Sequence, residues 1–429
     1  MLNKQMKKGE ERSLLSNTLW MNSGFILKIF IQAVYFILLA RSLGISDYGA
    51  IVAVSAVASV ISPFASLGTG NLLIKNIARE KAVFSYYWGN SILITVLSGV
   101  ILIGFLVLIK NIIFAKSITI LLIILIGASD ILFAKLSEIA GQSFQAFERL
   151  KWTAQFNVWL GLLRLLAAIH FCFFQPHHTA SIWGAYYLGS SIICAISSIT
   201  VVNLLLGRPK LRLKYFTNEK LEGFLFSIST TAQGFYTDID KTVLSKLGSL
   251  NDTGIYAAAS RIMEVTFSPI RSILQASYVR FFEQGRRGIG NNILLARKLM
   301  IPAIALSLTS GILLMTCAPL IVFALGDSFK ESVDVLRWIA FIPLIRCFHF
   351  FAADAMTGSD HQKLRSVIQI IVAIVSVFIN LILIPPYSWK GAAIAALVSN
   401  GLLAISLWSS IWYLQQNHKK QALPTLSEG

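Results

Sequence analysis

The chain has 429 residues, of which 55% are hydrophobic and 13% are charged. Its mean hydropathy of +0.69 reflects more apolar side chain than one soluble core can bury, which excludes a soluble globular protein. The formal net charge of +17 does not indicate a nucleic-acid-binding protein, because the basic residues follow alternate loops without interleaved aromatic residues. We therefore expect an integral membrane protein whose basic loops meet anionic lipid, with no nucleic acid partner.

Apolar stretches of roughly 20 residues recur along the chain, each long enough to cross about 30 Å of hydrocarbon. The basic lead "MLNKQMKKGEERSLLSN" runs into the first of them without a cleavage site, so we expect the first helix to stay inserted. The pattern predicts an all-α integral membrane protein with twelve transmembrane helices, at 17–40, 50–72, 86–109, 118–142, 153–174, 180–205, 223–246, 254–279, 299–325, 335–357, 364–385 and 390–414. The stretch 327–338, "DSFKESVDVLRW", is predicted as a short amphipathic lead into the tenth helix along the outer surface.

The loops between these helices differ in charge. Most of the 37 Lys and Arg residues fall in alternate loops, whereas the loop 175–179 holds none. One predicted cytoplasmic loop carries five of them: Arg208, Lys210, Arg212, Lys214 and Lys220. By the positive-inside rule, this asymmetry predicts a multi-pass protein of the bacterial cytoplasmic (inner) membrane with both termini in the cytoplasm.

A short turn occurs twice. "LGISDYG" at 43–49 joins the first two predicted helices, and "LGSLNDTG" at 247–254 joins the seventh and eighth. Because six is an even number, two sets of six helices would run in the same direction as parallel repeats. This predicts an N-terminal lobe at 1–206, a cytoplasmic linker at 207–220 and a C-terminal lobe with the cytoplasmic tail at 221–429. Chance similarity between two turns is the alternative.

Five segments in order resemble a known family: "ARSLGISDYGAIVA", "LGTGNLLIKNIARE", "FQAFERLKWTA", "DIDKTVLSKLGSLNDTGIYAAASRIME" and "FALGDSFKESVDVLRW". They look like the polysaccharide-export branch of the multidrug/oligosaccharidyl-lipid/polysaccharide (MOP) superfamily, and in particular like the Wzx-type O-antigen flippases. The resemblance runs from about residue 17 to residue 414, so it covers nearly the whole chain.

The resemblance implies two six-helix lobes around a central cavity and transport by alternating access. The implied cargo is an oligosaccharide linked to undecaprenyl pyrophosphate, although the resemblance does not identify its sugars. The implied partners are a polysaccharide polymerase and a chain-length regulator. It implies a transporter, neither an enzyme nor a cofactor-binding protein. No phosphate-binding loop or soluble nucleotide domain is visible in the sequence, so we expect no direct use of ATP.

Charged residues inside the predicted helices are the candidates for the chemistry. Each charge costs about 2.5–3.5 kcal/mol in a membrane helix unless it is paired or hydrated, so we expect these residues to face a polar interior. They comprise seven bases, Lys28, Lys135, Arg164, Lys241, Arg261, Arg271 and Arg346, and six acids, Asp130, Glu138, Asp238, Asp240, Glu264 and Asp354.

Helical spacing assigns some of these charges to common faces. At 100° per residue, Arg261, Glu264 and Arg271 fall within a sector of about 80° on the eighth helix. Asp238 and Lys241 are three residues apart and share a face, whereas Asp240 lies about 200° from Asp238. The two aspartates are therefore not expected to act as one dyad.

The cations are the predicted binding groups for the pyrophosphate, because guanidinium and ammonium groups replace part of its lost hydration. Arg164 and Arg346 lead this set, since neither has a close opposite charge in its own helix, and Lys28, Lys241 and Arg261 follow. The alternative is that each arginine forms a structural ion pair with another helix. Asp240 and Asp354 are the candidates for coupling to a proton or sodium gradient.

Other functions stay open at this stage. A drug or cation antiporter of the same superfamily is one, although it would favour a set of charges dominated by carboxylates. A membrane polysaccharide polymerase or ligase is another, but it normally needs a large outer loop, and every predicted outer loop here is short. The four cysteines and the pair His177 and His178 lack metal-site spacing, so no metal site is predicted.

Overall fold

The structure is a computed structural model that describes residues 2–147, 149–285 and 288–422. Throughout these residues the regular elements are helices, as the sequence predicts. The chain divides into two compact units, unit 1 at Met1–Gly234 and unit 2 at Phe235–Gly429. The boundary lies inside one long helix, while the lobe and linker bounds derived from the sequence, 1–206, 207–220 and 221–429, stay a prediction.

Unit 1 contains six helices and the first part of a seventh. They are α1 (Leu2–Ala65), α2 (Thr69–Arg79), α3 (Phe84–Leu108), α4 (Ile120–Ala146), α5 (Leu150–Phe174), α6 (Ala180–Leu205) and α7 (Lys220–Leu247). Short helical turns at Lys81–Val83, Lys110–Ile113 and Lys214–Thr217 connect some of them. Within α4, the turn Ala128–Phe133 is wound as a π-helix.

Among the described residues, unit 2 contains the end of α7, five further long helices, and the short helical turns Leu320–Leu325 and Asp327–Phe329. The long helices are α8 (Leu250–Gly285), α9 (Ile289–Cys317), α10 (Ser332–Gly358), α11 (Gln362–Tyr387) and α12 (Trp389–Ala422). The helix α10 is interrupted, so a separate short helix, Ser332–Ile339, precedes Ile342–Gly358. The short helical lead predicted for 327–338 is therefore present.

The first two predicted helices, 17–40 and 50–72, need correction at their ends. Both lie largely in α1, which is interrupted at Gly44, where φ is 71° and ψ is 178°. The Phe36 and Tyr48 rings are only 5.7 Å apart, although a straight helix would separate residues twelve apart by about 18 Å. The chain therefore reverses direction at Gly44. The second helix ends at Ala65 and not at 72, because Leu67 and Gly68 adopt positive φ before α2 begins.

The two copies of the repeated turn make similar contacts, each in its own unit. Asp47 Oδ2 accepts a hydrogen bond from the Ala180 backbone N–H at 2.9 Å, at the start of α6. Asp252 Oδ2 accepts one from the Ser388 hydroxyl at 2.5 Å, one residue before α12. A carboxylate is favourable at a helix N-terminus, where backbone N–H groups lack partners. In each unit the repeated aspartate thus connects the turn to the start of the last helix.

Nine helices in the described part of the chain are long and apolar enough to span a membrane. One of them, Phe30–Ala65, holds parts of two predicted helices because the interruption at Gly44 is short. The helices α7 and α8, with 28 and 36 residues, are not among the nine, and both carry several charged and hydroxyl side chains. Large exposed side chains such as Ile301, Phe323 and Ile382 are suited to contact with lipid.

The segment predicted as a linker, 207–220, is packed against α3 in unit 1. The Asn90 side chain donates a hydrogen bond to the Arg212 carbonyl at 2.8 Å and accepts one from the Arg212 backbone N–H at 3.1 Å. The rings of Tyr86 and Tyr215 stack with their centroids 5.4 Å apart. Lys75 on α2 forms a 2.5 Å ion pair with Glu222 on α7. These contacts attach the first turn of α7 to unit 1.

We predict that Gly68→Ala destabilises the protein. Gly68 has φ of 69°, a conformation that costs other residues about 1–2 kcal/mol, and a Cβ there would overlap the Gly223 carbonyl oxygen. The apparent midpoint of thermal unfolding in detergent should fall by several degrees. Gly104→Ala is the matched control, because the space around Gly104 in α3 is open and alanine favours the helix. Equal midpoints for the two variants would contradict the prediction.

Candidate functional site

The charged site of unit 1 links α4, α5 and α6. Arg164 Nη2 on α5 donates to Asp130 Oδ1 on α4 at 3.0 Å, and the Tyr187 hydroxyl on α6 donates to the same oxygen at 2.9 Å. The Arg164 guanidinium also lies over the Tyr187 ring, 4.0 Å from its centroid. Asp130 sits in the π-helical turn of α4, a feature that is frequent at functional sites. An ion pair and an aromatic ring together hold this arginine.

Arg164 keeps spare hydrogen-bonding capacity. Its Nη2 makes a second, longer contact of 3.4 Å with the Ser191 hydroxyl, which in turn lies 2.7 Å from the Ser129 hydroxyl. Its Nε is buried and has no hydrogen-bond partner among the described residues. A guanidinium has five N–H donors, and both hydrogen bonds described for Arg164 are donated by Nη2. The geometry leaves donors that a further acceptor, such as a phosphate oxygen, can use.

The charged site of unit 2 is built around Glu264 on α8. Arg346 on α10 forms a short ion pair with Glu264 Oε1, and Arg271 lies 3.4 Å from Glu264 Oε2. Both guanidinium groups are close to the Phe267 ring, with centroid distances of 5.9 Å for Arg346 and 5.7 Å for Arg271. One carboxylate is therefore shared by two guanidinium groups, of which Arg346 is buried and Arg271 is exposed.

A second pair of contacts on α7 extends this site. Lys241 Nζ lies 2.6 Å from Asp238 Oδ1, and Lys241 is also within electrostatic range of Glu264. Asp240 Oδ2 accepts a hydrogen bond from the Tyr256 hydroxyl on α8 at 2.6 Å. Asp238 is thus paired with the Lys241 ammonium and Asp240 with the Tyr256 hydroxyl, and the expectation that the two aspartates do not act as one dyad stays a prediction. Lys241, Arg346 and Asp240 meet in the same part of unit 2.

Asp354 pairs with a different cation. Its carboxylate is 3.9 Å from Arg365 Nη1 on α11, and Arg365 also donates to the Thr357 hydroxyl at 2.5 Å. His349, on the same helix, hydrogen-bonds to Asn400 Oδ1 at 3.1 Å. Asp354 lies eight residues from Arg346 along α10, which corresponds to about 12 Å of helix. We therefore treat it as separate from the site around Glu264.

The remaining charged residues of the sequence prediction are not placed in these ion-pair clusters. Arg261 on α8 has an exposed side chain, and the side chain of Lys28 lies outside the described residues. Lys135 pairs with Glu138 at 2.9 Å within α4. No three His, Cys, Asp or Glu residues in the described ranges are arranged to hold a metal ion.

The sequence interpretation missed the two tyrosine hydroxyls and the partners of the two arginines. Tyr187 and Tyr256 are two of 12 tyrosines, and nothing in their spacing distinguishes them from the others. Asp130 and Glu264 belong to the set of charged helix residues, but each is paired with a cation on another helix. The geometry of a structural ion pair is thus present at Arg164 and at Arg346, and their role in binding stays a prediction.

We predict that Arg346→Ala destabilises the folded protein by about 2 kcal/mol, because it leaves the Glu264 carboxylate without its buried partner. Adding Glu264→Gln should restore most of this loss, since the uncompensated charge is then removed. Thermal unfolding of the three purified proteins measures both effects. Arg271→Ala is the control, because this exposed guanidinium shares the same carboxylate and should contribute less than about 1 kcal/mol. No rescue by Glu264→Gln would contradict the pairing.

Comparison with known proteins identifies a family and a fold. Residues 14–283 match the model of the family described as polysaccharide biosynthesis protein. A search of curated protein sequences finds no match to the chain. Among solved structures, an inward-facing multidrug resistance MATE transporter of the MOP superfamily aligns with a TM-score of 0.74 at 16% identity, covering 91% of this chain and 99% of that chain.

Two further solved structures share the fold. The lipid II flippase MurJ, in an inward closed conformation, aligns with a TM-score of 0.74 at 14% identity, over 92% of this chain and 87% of that chain. A MOP superfamily transporter from Pyrococcus furiosus aligns with a TM-score of 0.65 at 14% identity, over 93% and 96% of the two chains. At these identities the likeness concerns the fold alone, and it confirms the predicted twelve-helix architecture with two lobes. The chain therefore belongs to the polysaccharide biosynthesis protein family and has the fold of the MOP superfamily.

Proposed function

We propose that this protein is a flippase that moves undecaprenyl-pyrophosphate-linked oligosaccharide repeat units, of the O-antigen type, from the inner to the outer leaflet of the bacterial cytoplasmic membrane. The family match supports a role in polysaccharide production, and the fold is one that a lipid II flippase also has. The observation that carries the proposal is the pair of membrane-embedded arginines, Arg164 and Arg346, each held by a carboxylate and by an aromatic ring.

The proposed mechanism is an exchange of anions. Without cargo, Asp130 neutralises Arg164 and Glu264 neutralises Arg346, which keeps both cations tolerable in an apolar environment. A pyrophosphate that enters replaces part of these contacts with charge-assisted hydrogen bonds to the guanidinium groups. In unit 2, Glu264 can stay with Arg271 when Arg346 turns to the cargo, because both arginines already contact it. Lys241 is close enough to contribute further positive charge.

Alternating access would expose the site to each leaflet in turn, and an ion gradient would drive the cycle. A carboxylate that loses its cationic partner to the cargo becomes a better acceptor for a proton or sodium ion. Asp240 and Asp354 are the proposed coupling groups, since each is buried and lies within electrostatic range of a cation, Lys241 for Asp240 and Arg365 for Asp354. We further propose that both termini are cytoplasmic, and that a polysaccharide polymerase and a chain-length regulator act on the product.

A drug or cation antiporter is the second candidate. It is favoured by the fold shared with a multidrug resistance MATE transporter, by the buried carboxylate of Asp240 and by the partly buried carboxylate of Asp130. The two candidates differ in the charge of the cargo, because an antiporter for cations binds through carboxylates, whereas the flippase binds through guanidinium groups. Reversing the charge of the arginines therefore separates them.

We predict that Arg164→Ala and Arg346→Ala each lose a charge-assisted contact of about 1.5–3 kcal/mol with the cargo, roughly a tenfold to hundredfold loss of transport. Lysine at either position should rescue only partly, because it lacks the bidentate geometry, and glutamate should be worse than alanine. The measurement is surface display of polysaccharide, normalised to the amount of protein in the membrane. The exposed Arg297→Ala on α9 serves as the control. Normal display with glutamate at both positions would exclude binding by these cations.

We predict that Asp240→Asn or Asp354→Asn uncouples transport from the ion gradient. Asparagine keeps the shape of the side chain and removes the charge that accepts the ion. Vesicles containing the purified variant should show cargo movement that no longer rises when a proton or sodium gradient is imposed. Asp360→Asn is the matched control, because Asp360 is an exposed aspartate between α10 and α11 and asparagine tolerates its positive φ of 61°. Gradient-dependent transport at the normal rate in both variants would rule out these two residues.

A further inference from the structure

A polar cavity lies in unit 2 outside the charged site described above. Its volume is about 490 Å³, within the size range of small-molecule sites. The lining comes from Glu331 and the short helix Ser332–Ile339 at the start of α10, and from the first turn of α12. It consists of Glu331, Asp334, Arg337, Trp338, Trp389 and Lys390. The ion pairs and ring contacts described for Arg346 and Glu264 involve none of these residues.

The lining combines three kinds of group. Trp338 has 44% of its surface exposed, and Lys390 Nζ lies 5.5 Å from the centroid of the Trp389 ring. Arg337 Nη1 is 3.4 Å from Asp334 Oδ1 in an exposed pair. Two indole rings are thus combined with hydrogen-bond acceptors and hydrogen-bond donors in one open cavity.

This combination fits a saccharide better than other ligands. The C–H face of a sugar ring stacks on an indole, while its hydroxyls donate to carboxylates and accept from ammonium or guanidinium groups. A simple anion would be repelled by Glu331 and Asp334, and a lipid chain would meet four charged side chains. A sugar hydroxyl can use both signs of charge, because it is a donor and an acceptor.

The backbone holds Trp389 in place. Ser388, immediately before it, has φ of 48°, a left-handed conformation that is uncommon outside glycine, asparagine and aspartate. The Ser388 hydroxyl donates to Asp252 of the repeated turn. Ser332, at the start of the short helix, donates to the Ile255 carbonyl at 3.1 Å. Both walls of the cavity are therefore fastened to the first turns of α8. Residues held in such backbone conformations are often found at functional sites.

The predicted topology assigns the cavity to the outer side. The turn before α8, the segment before α10 and the turn before α12 are all predicted outer loops, and the hydrogen bonds of Ser388 and Ser332 join them at one end of unit 2. We infer that this cavity binds the saccharide part of the cargo at the outer face. The inference rests on the proposed function for the identity of the saccharide, and it assigns a binding site distinct from the cations that hold the pyrophosphate.

The test uses the full chain in lipid nanodiscs and a water-soluble probe. The probe is the oligosaccharide repeat unit, released from its lipid by mild acid, and calorimetric titration measures its affinity. We expect Trp338→Ala combined with Trp389→Ala to weaken binding by about tenfold or more, because both stacking surfaces are lost. Glu331→Gln combined with Asp334→Asn should weaken it by a smaller factor. Trp412→Ala is the matched control, since this tryptophan of α12 is 63% exposed and outside the cavity.

Several outcomes would overturn the inference. Equal affinity in the double tryptophan variant and in the unchanged protein would do so, as would the absence of binding in the unchanged protein at millimolar probe. A loss of membrane protein without a change in affinity would show that the tryptophans only anchor the helices at the membrane surface.

A parallel assay with lipid-linked oligosaccharide in proteoliposomes tests the proposed transport function independently of the cavity site. If the vesicles translocate this cargo but the double variant binds the probe with unchanged affinity, the cavity is not a saccharide site and the proposed function is retained. If the vesicles translocate none of the cargo, the proposed function is wrong. The titrations with the soluble probe alone then show whether the cavity binds a saccharide.

Discussion

A charge inside a membrane helix is costly unless it is paired or hydrated, and in each unit a pair between neighbouring helices meets this constraint. Arg164 is joined to Asp130 across α5 and α4, and Arg346 is joined to Glu264 across α10 and α8. Each pair also recruits a phenol or phenyl ring that shields the guanidinium from hydrocarbon. The same contacts that make the charges tolerable therefore fix which helices are neighbours. Removing one partner therefore affects the fold and, under the proposed function, also the binding of the cargo.

The repeated turn adds a second constraint of the same kind at the ends of the helices. Asp47 reaches the first backbone N–H of α6, and Asp252 reaches the residue before α12. A carboxylate near unpaired backbone N–H groups is stabilised by the helix dipole. The repeated turn thus places an acidic side chain at the same position in each unit, beside the start of the last helix. In unit 2 this aspartate also helps to position Trp389 at the polar cavity.

The sequence predicted the helices well because their length is set by the thickness of the membrane. The sixth predicted helix, 180–205, coincides with Ala180–Leu205, and the third differs by two residues at its start. The second was wrong at its end, since the break at Leu67 and Gly68 depends on the close approach of Gly223, about 155 residues away in the chain. Local apolar pattern carries no information about such a contact.

The same difference between local pattern and long-range contact applies to the two charged sites. The Lys241 and Asp238 pair follows from a spacing of three residues, and the structure has it. The partner of Arg164 is 34 residues away on another helix, so spacing could not identify it. Nor could the sequence select Tyr187 or Tyr256, because the choice depends on how helices pack.

Pairing the cations with carboxylates has a consequence for transport. In the proposed mechanism, a pyrophosphate that binds Arg346 gains only the difference between its own contacts and those of Glu264, because it replaces an existing ion pair. The net affinity is therefore smaller than the contacts alone would give, which favours release at the far leaflet. An unpaired guanidinium would bind the cargo more tightly, but it would destabilise the empty protein and slow the departure of the product. Under the proposed function, the carboxylates of Asp130 and Glu264 would thus serve both stability and turnover.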